Sequence, residues 1–379
     1  MILLPFRVLT PNTISADYSI ADPGFLSYGW FVKTSILGIG TALPPYAYTQ
    51  DEVFALAGYR QESIRRLLRA TAIERRFLAF EKNHLPQEES DWFHQHYAKW
   101  SVKLGVEAGF KALERSSLRA SEVDYLIATS CTGYLCPGLN LRLARELGLG
   151  PRVKTANLVG MGCSAMIPAL ERADEFSHRH VGKNVLVVAS EICSASYWLD
   201  EQDLESVVGN ALFSDGASAA VLRAEDERAN RGKRKTFLEA FVTSSNRELL
   251  GAMGFSQKQG RLKVRLDSGV PSAVLDLADD VATELSKLAG LHPSELKHWI
   301  LHPGGRKILE QAESRWGFQK ELESSWRVMR KFGNMSSATI LFVLEDYLTG
   351  GQTPRSQEYG LMIAMGPGLS AEGVLLRWS

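Results

Sequence analysis

The sequence predicts a layered α/β fold, and three observations carry that prediction. Short apolar runs that read as buried strands alternate with segments whose apolar residues recur at helical spacing. The alternation runs up to a charged, glycine-containing stretch, RAEDERANRGKRKT at 223–236, and resumes after it. The composition is that of an ordinary globular chain, with 379 residues, 45% hydrophobic and 23% charged, enough for one large domain or two medium ones.

Residues 1–33 contain Pro5, Pro11, Pro23 and Gly24, lack clear periodicity, and read as an irregular leader. The opening MILLPFRVL makes a poor secretory signal, since no basic residue precedes the apolar stretch and Pro5 and Arg7 interrupt it. Order begins at TSILGIGTALP, an apolar run broken by Gly38 and Gly40; it lacks the third glycine and the helix start of a dinucleotide loop. Residues 51–77 are helical in pattern, as are 98–119. VDYLIATS reads as a buried strand ending in the loop CTGYLCPG, followed by a helix around 139–147. VKTANLVG is strand-like and leads into Cys163, after which Met166, Leu170, Ala173 and Phe176 fall at helical spacing over 164–177. KNVLVVASEI and ASAAVLRA are further strands, and the charged stretch reads as a solvated linker. Beyond it FLEAFVTSS is a strand, and 271–290 is a helix with Val274, Leu277, Val281 and Leu285 on one face. KHWILHPGG is a strand running into a loop, SSATILFVLEDYL a helix, and GLMIAMGPG and EGVLLRW two last strands. The expected organisation is a leader at 1–33, a first half at 34–226 and a second half at 236–379.

Lys+Arg and Asp+Glu both number 43, which argues against a strongly basic nucleic-acid binder. No apolar run is long enough to span a bilayer, so no transmembrane segment is expected and the cytoplasm is the default. The four cysteines, Cys131, Cys136, Cys163 and Cys193, include no CxxC pair and are expected as free thiols. The HQH at 94–96 has no partner carboxylate or cysteine at a metal-ligand spacing, so no metal is expected.

Chemistry on α/β folds gathers where strands end and loops begin. Three such loops carry reactive residue types: Cys163, His302 and Asn334. Taken singly, each has a plain structural reading. A free cysteine fills buried space, a histidine after a strand serves packing, and an asparagine in FGNMSS caps a helix or makes a turn.

Taken together, GMGCSAMIPAL, WILHPGGRKILE, GNMSSATILFVLEDYL and MGPGLSAEGVLLRW resemble the chalcone-synthase-like, or type III, polyketide synthases, with LFSDGASAAVL and LGIGTALP also fitting. The likeness covers about residues 34–379. It implies a thiolase-type fold, two similar halves stacked as α-β-α-β-α layers, in a homodimer. It implies a Cys163–His302–Asn334 catalytic set, an acyl-CoA starter and malonyl-CoA extenders, with no acyl-carrier protein and no bound cofactor. SCTGYLCPG and SEICSASYW look most like bacterial members, which favour fatty or small acyl starters; in some of these a cysteine at the position of Cys131 faces the cavity.

The same resemblance implies a substrate pocket and coenzyme A tunnel drawn from Cys131, Thr132, Cys136, Ser196, Phe213, Val264, Gly304, Gly305, Ser336, Gly366 and Pro367. Phe213 matches one of two phenylalanines that gate the cavity in relatives, and Val264 stands at the other. The family often has GFGPG where this chain reads AMGPG, with Ala364 and Met365. SIRRLLRATAIERR aligns with the coenzyme A-binding helix, giving Arg66 and Arg69 as cations for phosphates, with Arg306 and Lys307 near the same path; a solvated helix face is the other reading of this segment.

The chemistry suits these residue types. A thiolate is a strong nucleophile for holding a growing chain as a thioester, and a helix N-terminus with a neighbouring imidazolium would lower the Cys163 pKa. His302 and Asn334 would donate to the thioester oxygen as malonyl-CoA loses carbon dioxide and becomes an enolate. The expected products are pyrones, resorcinols or related polyketides. The alternatives are a ketoacyl synthase of fatty-acid initiation, a hydroxymethylglutaryl-CoA synthase, or an inactive acyl-CoA-binding protein of the same fold.

Overall fold

The computed structural model describes residues 32–81, 90–199, 201–230, 234–318, 320–350 and 354–379. The first half opens with β1 (Val32–Ala42), β2 (Ala47–Tyr48), α1 (Gln50–Leu56), α2 (Glu62–Arg69), β3 (Arg76–Phe77) and α3 (Ser90–Arg115). It continues through β4 (Val123–Thr129), α4 (Leu139–Glu146), β5 (Lys154–Leu158), α5 (Met166–Arg179), β6 (Asn184–Ile192), α6 (Leu204–Leu212) and β7 (Asp215–Asp226). The second half runs β8 (Thr236–Ser245), β9 (Met253–Lys258), β10 (Arg261–Leu266), α7 (Val270–Leu288), β11 (His298–Leu301), α8 (Arg306–Trp316) and α9 (Glu323–Phe332). It closes with α10 (Thr339–Thr349), β12 (Tyr359–Gly366) and β13 (Ser370–Trp378).

The apolar runs are strands because both of their faces are buried. Along β6, Val185, Val187 and Ala189 enter one core while Leu186 and Val188 enter another. Along β12, Met362 and Ala364 face the first of these, and Leu361, Ile363 and Met365 face a third. The layers follow. α3 packs on one face of β1, β6 and β7, and α7 on one face of β8, β12 and β13. Between the two lies a helical layer of α5 and α10, which touch strands of both halves. This is the expected α-β-α-β-α stack. The two half-sheets are also joined: nine strands run in the order β11-β12-β13-β8-β1-β7-β6-β4-β5. The seam is the antiparallel pairing of Thr34, Ser35 and Ile36 in β1 with Leu238, Phe237 and Thr236 in β8.

Several local expectations change. The helical pattern at 51–77 is split, because Gly58 and Ala72 take positive φ values of 65° and 62°. The first ends the helix pair's opening member, and the second precedes β3. α3 starts eight residues ahead of the expected 98 and stops at Arg115, with Ser117 at φ 55° just beyond it. The charged stretch at 223–236 is in part sheet: β7 carries it to Asp226. Its charges are paired, Lys235 with Glu225 at 2.9 Å and Glu227 with Arg377 of β13 at 2.9 Å. Of the leader expected at 1–33, Val32 and Lys33 already belong to β1, and residues 1–31 lie outside the described residues.

Candidate active site

Cys163 sits in a 3-10 turn, Gly162–Ser164, between β5 and α5. That turn rests on the end of β12 through two glycines. A Cβ on Gly162, whose φ is +56°, would stand 2.3 Å from Pro367 Cδ, and one on Gly366 would stand 2.7 Å from the Met161 carbonyl oxygen. Gly366 and Pro367 therefore form the bed of the nucleophile turn. His302 follows β11 and is fixed by its N–H, which donates to the Ile363 carbonyl at 2.9 Å. Asn334 precedes a 3-10 turn at Ser336–Ala338 that leads into α10. The three residues thus come from the β5–α5 loop, the end of β11 and the α9–α10 connection.

The amide of Asn334 is oriented. Its Oδ1 accepts from the Ser336 N–H at 2.8 Å, and its Nδ2 donates to the Gly304 carbonyl at 3.2 Å. The Cys163 thiol donates to Ser336 Oγ at 3.5 Å. The His302 ring is buried, and neither of its nitrogens has a hydrogen-bond partner among the described residues.

Burial pushes the Cys163 thiol up to about 11 and the His302 imidazole down to about 4. The sequence leads one to expect a lowered thiol from the helix start. Cys163 instead lies three residues ahead of the first residue of α5, and burial is the largest influence on its thiol. Ser336 and Asn334, whose hydroxyl and amide can donate to a thiolate, draw the thiol down against burial without overcoming it. Burial thus favours the uncharged form of each group.

Cys131 joins the site. Its Sγ is 3.2 Å from the same Ser336 Oγ. Behind it lies Glu191, fully buried at the end of β6 and absent from the sequence-derived set. Glu191 accepts from Ser130 Oγ at 3.1 Å, the Cys131 N–H at 3.0 Å, Thr132 Oγ1 at 2.8 Å and Ser337 Oγ. Burial raises its pKa. Thr132 is therefore occupied by Glu191, and Ser196 by the Cys193 carbonyl at 2.8 Å. Cys136 is exposed on the far side of the 131–138 loop.

Around the entrance, Phe213 is half-buried at the end of α6, and Gly305 precedes α8. Val264 on β10 is buried and faces α6, where a Cβ on Gly209 would lie 3.4 Å from its Cβ. Arg69 is held bidentately by Asp51, at 2.9 and 3.0 Å, and this occupies the guanidinium expected for phosphate. Arg66 is exposed on α2, and Arg306 donates to the Ala70 carbonyl at 3.3 Å, bringing the start of α8, with Arg306 and Lys307, beside the end of α2. Among the described residues no three His, Cys, Asp or Glu side chains form a metal-ligand group, and no helix is long and apolar enough to cross a membrane. His94 is exposed and His96 buried, stacked on Trp92 with ring centroids 4.6 Å apart.

Two family models match the chain: chalcone and stilbene synthases, N-terminal domain, over residues 32–226, and the C-terminal domain over 240–378. A 3,5-dihydroxyphenylacetyl-CoA synthase of Streptomyces toyocaensis is 33% identical, with 91% of this chain and 90% of that protein covered. A 1,3,6,8-tetrahydroxynaphthalene synthase of Streptomyces peucetius subsp. caesius is 32% identical, with 98% of each covered. Among solved structures, a type III pentaketide synthase from Neurospora crassa superposes with a TM-score of 0.81 at 27% identity, covering 91% of this chain and 100% of that one.

Proposed function

The chain belongs to the chalcone and stilbene synthase family and is a type III polyketide synthase, a decarboxylating acyltransferase that condenses acyl-CoA with malonyl-CoA; from that premise we propose that Cys163, His302 and Asn334 carry its chemistry. The observation that supports this most directly is the buried His302 ring, open at both nitrogens, two residues from the Gly304 carbonyl that holds the Asn334 amide.

In the loading step Cys163 attacks the starter thioester while neutral His302 takes its proton; the C–S bond to coenzyme A breaks and the proton passes to the departing thiolate, a general-base route that needs no standing thiolate. Malonyl-CoA then sets its thioester oxygen between the His302 N–H and Asn334 Nδ2. Loss of carbon dioxide places negative charge on that oxygen, where two fixed donors stabilise it; the enolate carbon attacks the Cys163 thioester, the C–S bond to Cys163 breaks, and the extended chain leaves on coenzyme A with the Cys163 sulfur freed for reloading. Asn334 donates without giving up a proton that would quench the carbanion. Nucleophile, acceptor and donors are all side chains, so the reading assigns no resident cofactor. Arg66, Arg306 and Lys307 form the basic rim proposed for the coenzyme A phosphates.

The starter we propose is a fatty or small acyl-CoA, and the product a pyrone, resorcinol or related ring. Val264, where relatives have a phenylalanine, supports it, and so do relatives whose names include an α-pyrone polyketide synthase-like protein of Mycobacterium tuberculosis. A homodimer and a cytoplasmic setting belong to the same proposal; four free cysteines support the latter.

The test is incubation with malonyl-CoA and a panel of acyl-CoAs, with products read by mass spectrometry. In the same assay Cys163→Ala is expected to abolish loading and keep some malonyl-CoA decarboxylation. Asn334→Ala is expected to keep loading and lose decarboxylation by about 10²–10³-fold. An Asn334→Ala enzyme that condenses at the wild-type rate would sink the assignment.

A further inference from the structure

Arg76 is the largest charged group in the interior that the mechanism leaves unused. It lies on β3, fully buried, and among the described residues its hydrogen bonds all go to neutral acceptors. Burying a guanidinium without a carboxylate costs several kcal/mol unless the fork is satisfied by other acceptors. Here the acceptors identify what the group does. Nη1 donates to the Asn210 carbonyl, to the Phe213 carbonyl at 3.3 Å and to Tyr197 Oη at 3.2 Å; Nη2 donates to Gln50 Oε1.

Asn210 and Phe213 stand at the C-terminus of α6, where the last carbonyls of a helix lack intrahelical partners. Those carbonyls are completely accounted for. Asn210 O takes Arg76, Ala211 O takes Gln50 Nε2 at 3.1 Å, and Phe213 O takes Arg76 and Tyr197 Oη at 2.6 Å. The remaining one, Leu212 O, accepts the Asn334 N–H at 3.0 Å, and Ser214 N–H returns a bond to the Asn334 carbonyl at 2.8 Å. Asn334 is therefore clasped, through both of its backbone groups, by the two residues flanking Phe213. Cys163 rests on a different bed, the Gly162–Pro367 and Gly366–Met161 contacts.

We infer that Arg76 is a positioning residue for malonyl-CoA decarboxylation, holding the C-terminus of α6 so that the clasp sets the Asn334 amide where the enolate oxygen forms. The inference rests on Asn334 acting as an enolate donor. A cation at a helix C-terminus meets the negative end of the helix dipole, and a planar fork reaches acceptors on α1, the 193–197 turn and α6 at once. A shift of the clasp moves a donor that must lie about 3 Å from the developing charge, while the bed of Cys163 stays in place. The effect is thus selective between the two half-reactions.

The experiment measures starter loading by intact-protein mass and carbon dioxide release from malonyl-CoA on the full chain. Arg76→Gln is expected to lower kcat for decarboxylation by about tenfold to a hundredfold, part of the loss from removing an oxyanion donor outright. Loading and the KM for malonyl-CoA should stay within about threefold, because the bed of Cys163 is untouched, and Arg76→Lys should fall between wild type and Arg76→Gln. Decarboxylation at the wild-type rate, or loading that falls by the same factor, overturns the inference. If Arg76→Gln does not fold, Tyr197→Phe decides, since it removes one hydrogen bond to the Phe213 carbonyl. A selective loss of decarboxylation upholds the inference, and equal rates in both half-reactions overturn it. Asn334→Ala run alongside separates the two levels: if it keeps decarboxylation, the assignment of Asn334 fails; if it loses decarboxylation and Arg76→Gln does not, the inference alone fails.

Discussion

Burial drives Cys163 and His302 toward their uncharged forms from opposite directions, and this fixes how loading depends on pH. In the proposed loading step the imidazole, pushed down to about 4, is neutral at pH 7 and keeps a lone pair for the Cys163 proton. Lowering the pH removes that lone pair only near the depressed value, not near the ordinary histidine value of about 6.5. The sign is therefore clear: the base is competent above its folded pKa and lost below it. Single-turnover loading of an acyl-CoA should hold its rate from pH 8 to about pH 5 and then fall along an acid limb centred near 4. A limb centred at 6.5 would show that His302 is solvated during loading, against its burial here.

Among the elements, the β9–β10 hairpin packs against α6 through Val264, at the proposed entrance. Val264 fills the space above Gly209, so a phenylalanine there must either push α6 or turn toward the proposed tunnel. Val264→Phe is expected to shift starter preference toward shorter chains in a competition of acetyl-, hexanoyl-, lauroyl- and p-coumaroyl-CoA, and to cost about 1–3 kcal/mol of stability by overpacking. A lower melting temperature with an unchanged chain-length profile would make Val264 a packing residue alone. The hairpin itself was not legible in the sequence. MGFSQK and RLKVRL have mixed polarity because much of the hairpin faces solvent, and Gln259–Gly260 at its turn, both at positive φ, gave the only local signal. α8 and α9 escaped notice because their apolar stripes are narrow, with Leu309 and Ala312 the buried residues of one. The strands β6 and β12 were readable because burial on two faces leaves an unbroken apolar run. Cys163, His302 and Asn334 were readable as reactive types at strand and loop ends. Glu191 had a faint signal, a lone carboxylate at the end of KNVLVVASEI. Arg76 had none: it is one of several arginines in SIRRLLRATAIERR, and only the tertiary fold separates it from its exposed neighbours.

At the scale of the whole molecule, the continuous sheet has two edges, and they are unlike. β11 is a four-residue edge strand whose last three residues are buried. β5 is the other edge, and its burial alternates only weakly, with Lys154 and Asn157 exposed. An open edge is a template for pairing with another chain unless charge or cover blocks it. Apolar groups gather near this one: Val159 just past the strand is 53% exposed, Leu141 on α4 52%, and Tyr134 in the 131–138 loop 71%. Such side chains scattered singly need no explanation, but three in the segments flanking one unpaired edge fit a self-complementary two-fold interface. That loop also carries Cys131, so an interface here would brace the wall of the active site. The chain is expected to sediment at twice the monomer mass at micromolar concentration. Val159→Lys should weaken the dimer without unfolding the subunit, because in the isolated chain that side chain already faces water. The same substitution should slow condensation at concentrations where the dimer dissociates and leave it near wild type where it does not, a concentration dependence that damage within one subunit would not produce. A wild-type chain that stays monomeric at tens of micromolar would remove the interface and leave the β5 edge to be explained by its charge alone.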